Sequence, residues 1–282
     1  MNRTSCRTGT PSKLMLIGVA VVLGSVCASC SLARRHPTDS GNATVPRRYT
    51  CHRARSPVVI DGRLDEPAWA DAPWTEPFVD IEGEAGPRPR LATRARMLWD
   101  DRCFYIGASL EEPHVWGTLT QHDQIVFQDN DFEVFIDPDG DTRQYYEVEI
   151  NTLNTVFDLF LERTYIDGGP AHHEWDLQGL KTAVHVDGTL GDPSDTDDGW
   201  SVELALPWSS LAEYAHQPAP PREGDVWRVN FSRVEWRHRI VEGRYQKVPD
   251  TREDNWVWSP QGRINMHLPE RWGYVTFSAA AE

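Results

Sequence analysis

Asp131-Phe132-Glu133-Val134-Phe135-Ile136-Asp137, a loop over residues 138–143, and Gln144-Tyr145-Tyr146-Glu147-Val148-Glu149-Ile150-Asn151 together read as a β-hairpin. Side chains of a strand alternate between its two faces. Phe132, Val134 and Ile136 therefore share one face with Tyr146, Val148 and Ile150, and that face is core. The opposite face carries Glu133, Phe135, Tyr145, Glu147, Glu149 and Asn151. Carboxylates cannot be closed into a core without partners, so this second face is either a wet, concave ligand surface or an ordinary solvent-facing one.

Outward from the hairpin the same pattern repeats. Short alternating segments at residues 95–98, 103–110, 182–186, 200–206, 226–234 and 273–277 are separated by turn residues, and no helical stripe of useful length intervenes. Such spacing predicts an all-β chain folded as an antiparallel β-sandwich over residues 51–279. Residues 207–211 read as one short helical turn. The chain has 282 residues, 39% hydrophobic and 25% charged, which excludes a disordered, collagenous or membrane-bundle protein. Its formal charge of -15 repels phosphate backbones, so nucleic acid is not an expected partner. Twelve tryptophans are the unusual feature: each either fills core or offers a flat face for stacking.

Arg3, Arg7 and Lys13 precede an apolar stretch from Leu14 to Val26 and then Cys27-Ala28-Ser29-Cys30, the layout of an export signal too short to span a bilayer well. Ala28-Ser29-Cys30 resembles the end of a bacterial lipoprotein signal, which implies lipidation at Cys30, an anchor in a bacterial membrane and a place in the cell envelope; plain secretion is the alternative. Loss of residues 1–30 would remove three basic residues and no acidic one, leaving a charge of -18. Residues 31–50 read as a flexible tether. Cys51 and Cys103 either pair in an oxidising compartment or remain two thiols.

Val59-Ile60-Asp61-Gly62-Arg63-Leu64-Asp65-Glu66-Pro67-Ala68-Trp69 resembles the opening of carbohydrate-binding module family 9. Met97-Leu98-Trp99-Asp100-Asp101 with Phe104-Tyr105-Ile106, the strand at 131–137 and Arg271-Trp272-Gly273 follow in the family's order. The resemblance implies a jelly-roll sandwich with immunoglobulin-like layering. It also implies no catalysis, calcium in a structural role, and binding of oligosaccharides, polysaccharides or their chain ends alongside glycan-degrading enzymes. Sugar-binding members clamp a sugar between two tryptophans and hold its hydroxyls with a glutamate, an arginine and an asparagine. Carried onto this chain, those positions fall on Phe127 and Met266 for the clamp, and on Glu133, Glu149 and Arg263. Only Glu133 keeps its type. The exchange suggests that Arg263 supplies the guanidinium, facing Glu133 and Glu149. Trp116, Trp175, Trp236 and Trp256 are further aromatics able to replace the lost clamp.

Asp137, Asp139 and Asp141 stand at i, i+2 and i+4 in a loop and offer hard oxygen ligands suited to Ca²⁺. Asp192, Asp195, Asp197 and Asp198 form a second acidic loop. His172-His173 point to opposite faces if extended and read as a solvated pair. Two other classes stay open: a haem-binding sandwich using Met97, Met266 or His267, and an envelope structural or interaction protein that has lost its ligand.

Overall fold

The computed structural model describes residues 45–279. Fifteen strands follow in chain order: β1 (Arg48–Arg53), β2 (Val79–Asp80), β3 (Thr93–Trp99), β4 (Cys103–Glu111), β5 (Asp131–Asp137), β6 (Tyr145–Asn151), β7 (Val156–Leu161) and β8 (Ala171–His172), then β9 (Lys181–Asp187), β10 (Gly199–Pro207), β11 (Val226–Glu235), β12 (His238–Val241), β13 (Arg244–Lys247), β14 (Asp254–Val257) and β15 (Gly273–Ser278). The helices are single turns, α1 (Pro67–Ala70) and α2 (Trp208–Leu211), the second being the turn expected there. Strand β1 starts at Arg48, inside the stretch read as tether. The export segment and Cys30 lie outside the described residues.

Hydrogen bonding runs in the order β8-β7-β6-β5-β11-β15-β1-β3-β4-β10-β9, a curled path closed over one core. Neighbours on it are antiparallel except β1, which pairs in parallel with both β15 and β3. Inward side chains of β5, β6 and β11 meet those of β3, β4 and β10 in a single cluster that includes Phe132, Val134, Val148, Ile150, Ile106, Leu204 and Phe231. That is a β-sandwich. The pairing of Val134 with Val148, Glu133 with Glu149 and Phe135 with Glu147 places the hairpin in the register its alternation requires.

The opening motif of the chain turns out to be a docking device. Ile60 and Leu64 pack with Trp69 and Ala68 against Leu98, Tyr105 and Ala205 on the outside of the β3-β4-β10 layer. Glu203 of β10, fully buried, accepts the backbone N–H groups of Asp61 (2.9 Å) and Gly62 (2.8 Å) and the indole N–H of Trp69 (2.7 Å). Three donors compensate the buried carboxylate. Gly62 has φ +89, and a Cβ there would lie 2.6 Å from the backbone of Val184 and His185, so no other residue fits.

Cys51 sits in the inter-sheet core and Cys103 beside the Trp69 cluster, and both are free thiols. Trp175 packs on Tyr146 and Phe160. Trp256 is likewise core, covered by the guanidinium groups of Arg90 and Arg233 at 5.3 and 5.2 Å; it offers no sugar platform, which corrects its expected role.

Candidate functional site

The outward face of β5, β6, β7 and β11 is the floor of a cleft of about 300 Å³. Glu133, Phe135, Glu147, Glu149, Phe157, Leu159 and Val234 supply the floor, and loops supply the walls. On the same outward face, beside the carboxylates, Phe135, Tyr145, Leu161, Val257 and Trp272 belong to a second apolar cluster. The mixed face of the hairpin is thus concave and open rather than solvent-washed. Its size is at the lower end for small-molecule sites, enough for one ring system rather than a long chain.

The carboxylates are the physical anomaly. Glu133 and Glu149 are direct cross-strand partners, an arrangement that costs stability when both are charged. Both are nonetheless buried, at 5% and 3% exposure. Burial pushes the Glu133 carboxyl up to about 7, with Ser232 opposing and Glu253 reinforcing. Burial also raises Glu147, Glu149 and, behind them, Asp131, and each is raised further by its acidic neighbours. Glu149 Oε2 accepts the backbone N–H of Phe127 at 2.9 Å. No Lys or Arg is among the described residues lining the cleft. His267 comes within 4.0 Å of Glu147, but its burial holds the imidazole down at about 4, so the ring is neutral at pH 7. Its Nδ1 lies 2.9 Å from the Tyr145 hydroxyl.

The rim is apolar. Ile125, Phe127, Tyr165 and Ile264 are all more than 40% exposed, an unusual density of bare hydrophobic groups around one opening. Phe127 is fixed in place by its turn: Val126 beside it is buried in the second cluster, its N–H goes to Glu149, and its carbonyl accepts the Trp236 indole N–H at 2.9 Å. Met266 enters from the opposite wall, where Tyr165 stands edge-on to His267 at 4.6 Å.

Phe127, Glu133, Glu149 and Met266, four positions carried over from the family pattern, therefore meet in one cleft. Arg263 does not. It is exposed, lines no part of the cleft, and makes no ion pair with Glu133 or Glu149 among the described residues, which corrects the exchange of charge expected there. Trp116 lies elsewhere, stacked on Tyr245 at 5.8 Å in a separate cleft of about 280 Å³ with Lys247 and Gln128. Tyr165, Ile264, Glu147 and Asn265 are cleft residues that the motif carry-over passed by. Tyr165-Ile166 preceding Gly168-Gly169 was a usable signal, since an apolar pair in a glycine-rich turn has no core to serve.

The Asp137, Asp139 and Asp141 carboxylates converge to within 4.8 Å, and the donor set fits a hard cation. Asp137 meanwhile accepts the backbone N–H groups of Gly140 and Thr142, both at 2.9 Å, and burial pushes it up to about 7. The second acidic loop does not assemble. Asp197 turns inward to accept N–H groups of Val115 and Thr189 at 2.8 and 2.6 Å, and Asp192 caps Ser194. His172 pairs with exposed Glu162 and Glu174, while His173 reaches the cleft edge beside Phe157. Of the candidate haem ligands, Met266 and His267 both line the cleft, whereas Met97 belongs to the inter-sheet core and does not join them.

Residues 60–223 match the carbohydrate family 9 binding domain-like family. The chain is 28% identical over 155 residues to an exoglucanase, XynX, of Acetivibrio thermocellus, and 27% identical over 153 residues to endo-1,4-beta-xylanase A of Thermoanaerobacterium saccharolyticum. Each match takes in 54% of this chain but only 12% and 11% of those proteins. Among solved structures, a carbohydrate-binding module of family 9 from Caldicellulosiruptor kristjanssonii, in complex with cellotriose, superposes with a TM-score of 0.56 at 15% identity, covering 84% of this chain and 96% of that one. A glucose complex from the same organism gives 0.54. A carbohydrate-binding protein of Bacteroides uniformis, so described provisionally, gives 0.60 at 18% identity over 82% and 99%. By its sequence match, with a fold to agree, the chain belongs to the carbohydrate family 9 binding domain-like family.

Proposed function

We propose that this protein binds carbohydrate in the cleft over β5 and β6 and does not cleave it. The observation that carries this reading is a cleft of one-ring size whose floor is buried, unpaired carboxylates and whose rim is exposed apolar groups. A sugar ring has that split character: hydroxyls that donate to carboxylates and a C–H face that packs on Phe127 or Tyr165. Hydroxyl donors would also relieve the repulsion between Glu133 and Glu149, which an apolar ligand cannot do. Family membership and the cellotriose and glucose complexes of the similar folds support the same ligand class.

Binding rather than hydrolysis follows from where the acids sit. Glycosidases place two carboxyl groups on either side of the scissile bond. Here Glu133 and Glu149 are neighbours on one floor of one sheet. A small walled cleft favours a chain end over the middle of a polysaccharide.

In the same reading the chain is exported, anchored through a lipid on Cys30 to a bacterial membrane, and holds glycan at the envelope for degrading enzymes. The signal-like N-terminus and the enzyme relatives support this. A structural calcium ion at Asp137, Asp139 and Asp141 completes it.

Calorimetric titration with glucose, xylose, cellotriose and xylotriose tests the ligand. Heat that saturates at one site, and that Phe127→Ala reduces about tenfold in affinity, is expected from loss of a stacking contact of ~1 kcal/mol or more. No heat from any of the four, at millimolar sugar, would count against carbohydrate binding. Release of reducing ends on prolonged incubation would count against the non-catalytic part alone.

A further inference from the structure

On the flank of the sandwich, away from the carboxylate floor, four side chains from three segments converge: His122 and Asp123 in the loop after β4, Asp158 of β7, and Asp176 in the loop after β8. We propose that they form a site for a first-row divalent cation of the zinc class. One ligand atom from each lies within 4.8 Å of the others.

Three features separate this group from an ordinary acidic cluster. Asp158 is 2% exposed, and while its Oδ2 accepts the N–H of Leu177, its Oδ1 has no hydrogen-bond partner and faces His122 Nε2 at 3.7 Å. A buried carboxylate oxygen without a donor is costly, and a cation removes that cost. Next, His122 Nδ1 lies 3.0 Å from the carbonyl oxygen of Val156. A carbonyl only accepts, so Nδ1 carries the hydrogen, and in the neutral ring the Nε2 lone pair points at the three carboxylates. Outer hydrogen bonds of this kind orient metal-binding histidines.

The spacing is the third feature. From Nε2 to the oxygens of Asp176, Asp123 and Asp158 the distances are 3.1, 3.4 and 3.7 Å. Ligands in a tetrahedral shell with zinc bonds of about 2.0–2.2 Å stand about 3.3–3.6 Å apart. A protonated imidazole has a single Nε2 hydrogen and satisfies one of the three oxygens. An imidazole ligand favours zinc or its neighbours over calcium, which prefers oxygen alone. An open cleft of about 330 Å³ lined by His122, Asp158 and Asp176 gives the ion a way in. Bound there, it would tie β7 to the loop that carries Ile125 and Phe127, three and five residues beyond His122, although the site stands whether or not the neighbouring cleft takes sugar.

The test uses the full, untagged chain stripped with a chelator and titrated with ZnCl₂ in a calorimeter. One zinc per chain is expected, weakened about tenfold or more by His122→Ala and by Asp176→Asn, and unchanged by His172→Ala, which alters an exposed histidine outside the group. Both changed side chains are about half exposed, so the fold should tolerate their loss. Absence of saturable zinc binding would overturn the proposal. So would binding that His122→Ala leaves intact, or a drop in melting temperature for that variant that zinc does not affect in the parent, since the histidine would then be a cationic partner and no more.

Discussion

Glu133 is held where it weakens the fold, and that gives its replacement two opposite effects. Its carboxyl titrates at about 7 rather than near 4.3, so at pH 8 the folded chain must carry a buried charge opposite Glu149. Glu133→Gln removes the charge while keeping shape and an acceptor oxygen. A rise in melting temperature of about 2–4 °C at pH 8 is expected for each kcal/mol of relief, together with a 10- to 100-fold loss of sugar affinity, the size of a hydrogen bond to a charged group. Differential scanning fluorimetry and calorimetry on the same sample read both. Arg263→Ala is the matched control and should change neither, because that side chain is exposed outside the cleft. Gly62→Ala belongs to the same scale with one sign only: a Cβ 2.6 Å from backbone in a left-handed conformation should cost ~2 kcal/mol or more in urea denaturation.

At the level of elements, β11 is the hinge of the architecture, pairing with β5 along one edge and dividing the other between β15 and β14. Near its end Arg233 is buried and bonded to Glu112 at 2.9 Å and Glu235 at 2.8 Å, while Arg90 reaches Glu235 at 3.0 Å. Arg233→Met leaves buried Glu112 without a cation and Glu235 with Arg90 alone, and a loss of about 3–5 kcal/mol in chemical denaturation is expected. The strands themselves were legible because alternation is a local signal: Phe132, Val134 and Ile136 announce their face without any partner in view. Arg233 was not legible, since nothing in Phe231-Ser232-Arg233-Val234-Glu235 shows that Glu112, far away in sequence, will meet it. Arg263 was misplaced for a related reason. Counting from Arg271-Trp272-Gly273 fixes a position along the chain, whereas the loop before it turns Ile264 and Met266, not Arg263, into the cleft. Trp256 fell to the same limit: a tryptophan in a loop and one at a strand end read alike until the arginines covering it are known.

For the whole molecule, an excess of acid and an unusual share of raised carboxyls act together. Glu133, Asp137 and Glu203 each titrate near 7 when folded, Glu112 near 8, and Asp131, Glu147 and Glu149 are also raised, all chiefly by burial. The folded chain therefore holds more protons than the unfolded one between about pH 4 and pH 7–8, and stability falls as pH rises through that window. His267, lowered to about 4, works the other way below pH 6.5, but it is one group against seven. The melting temperature should be higher near pH 5 than at pH 8 by at least about 5 °C, since even one carboxyl held up over about two pH units corresponds to roughly 3 kcal/mol. A profile that rises from pH 5 to 8 would mean that the carboxylates have found cations. The same reasoning makes the cleft a place where a neutral, hydroxyl-rich ligand is welcome and an anion is not.

Crystals of the protein soaked with cellotriose or xylotriose at millimolar concentration provide the most direct measurement. Density for one pyranose ring lying against Phe127 or Tyr165, with hydroxyls within about 2.5–3.0 Å of Glu133 and Glu149, is the expected result. A sugar bound at the Trp116 and Tyr245 cleft while the carboxylate floor holds only water would contradict the account.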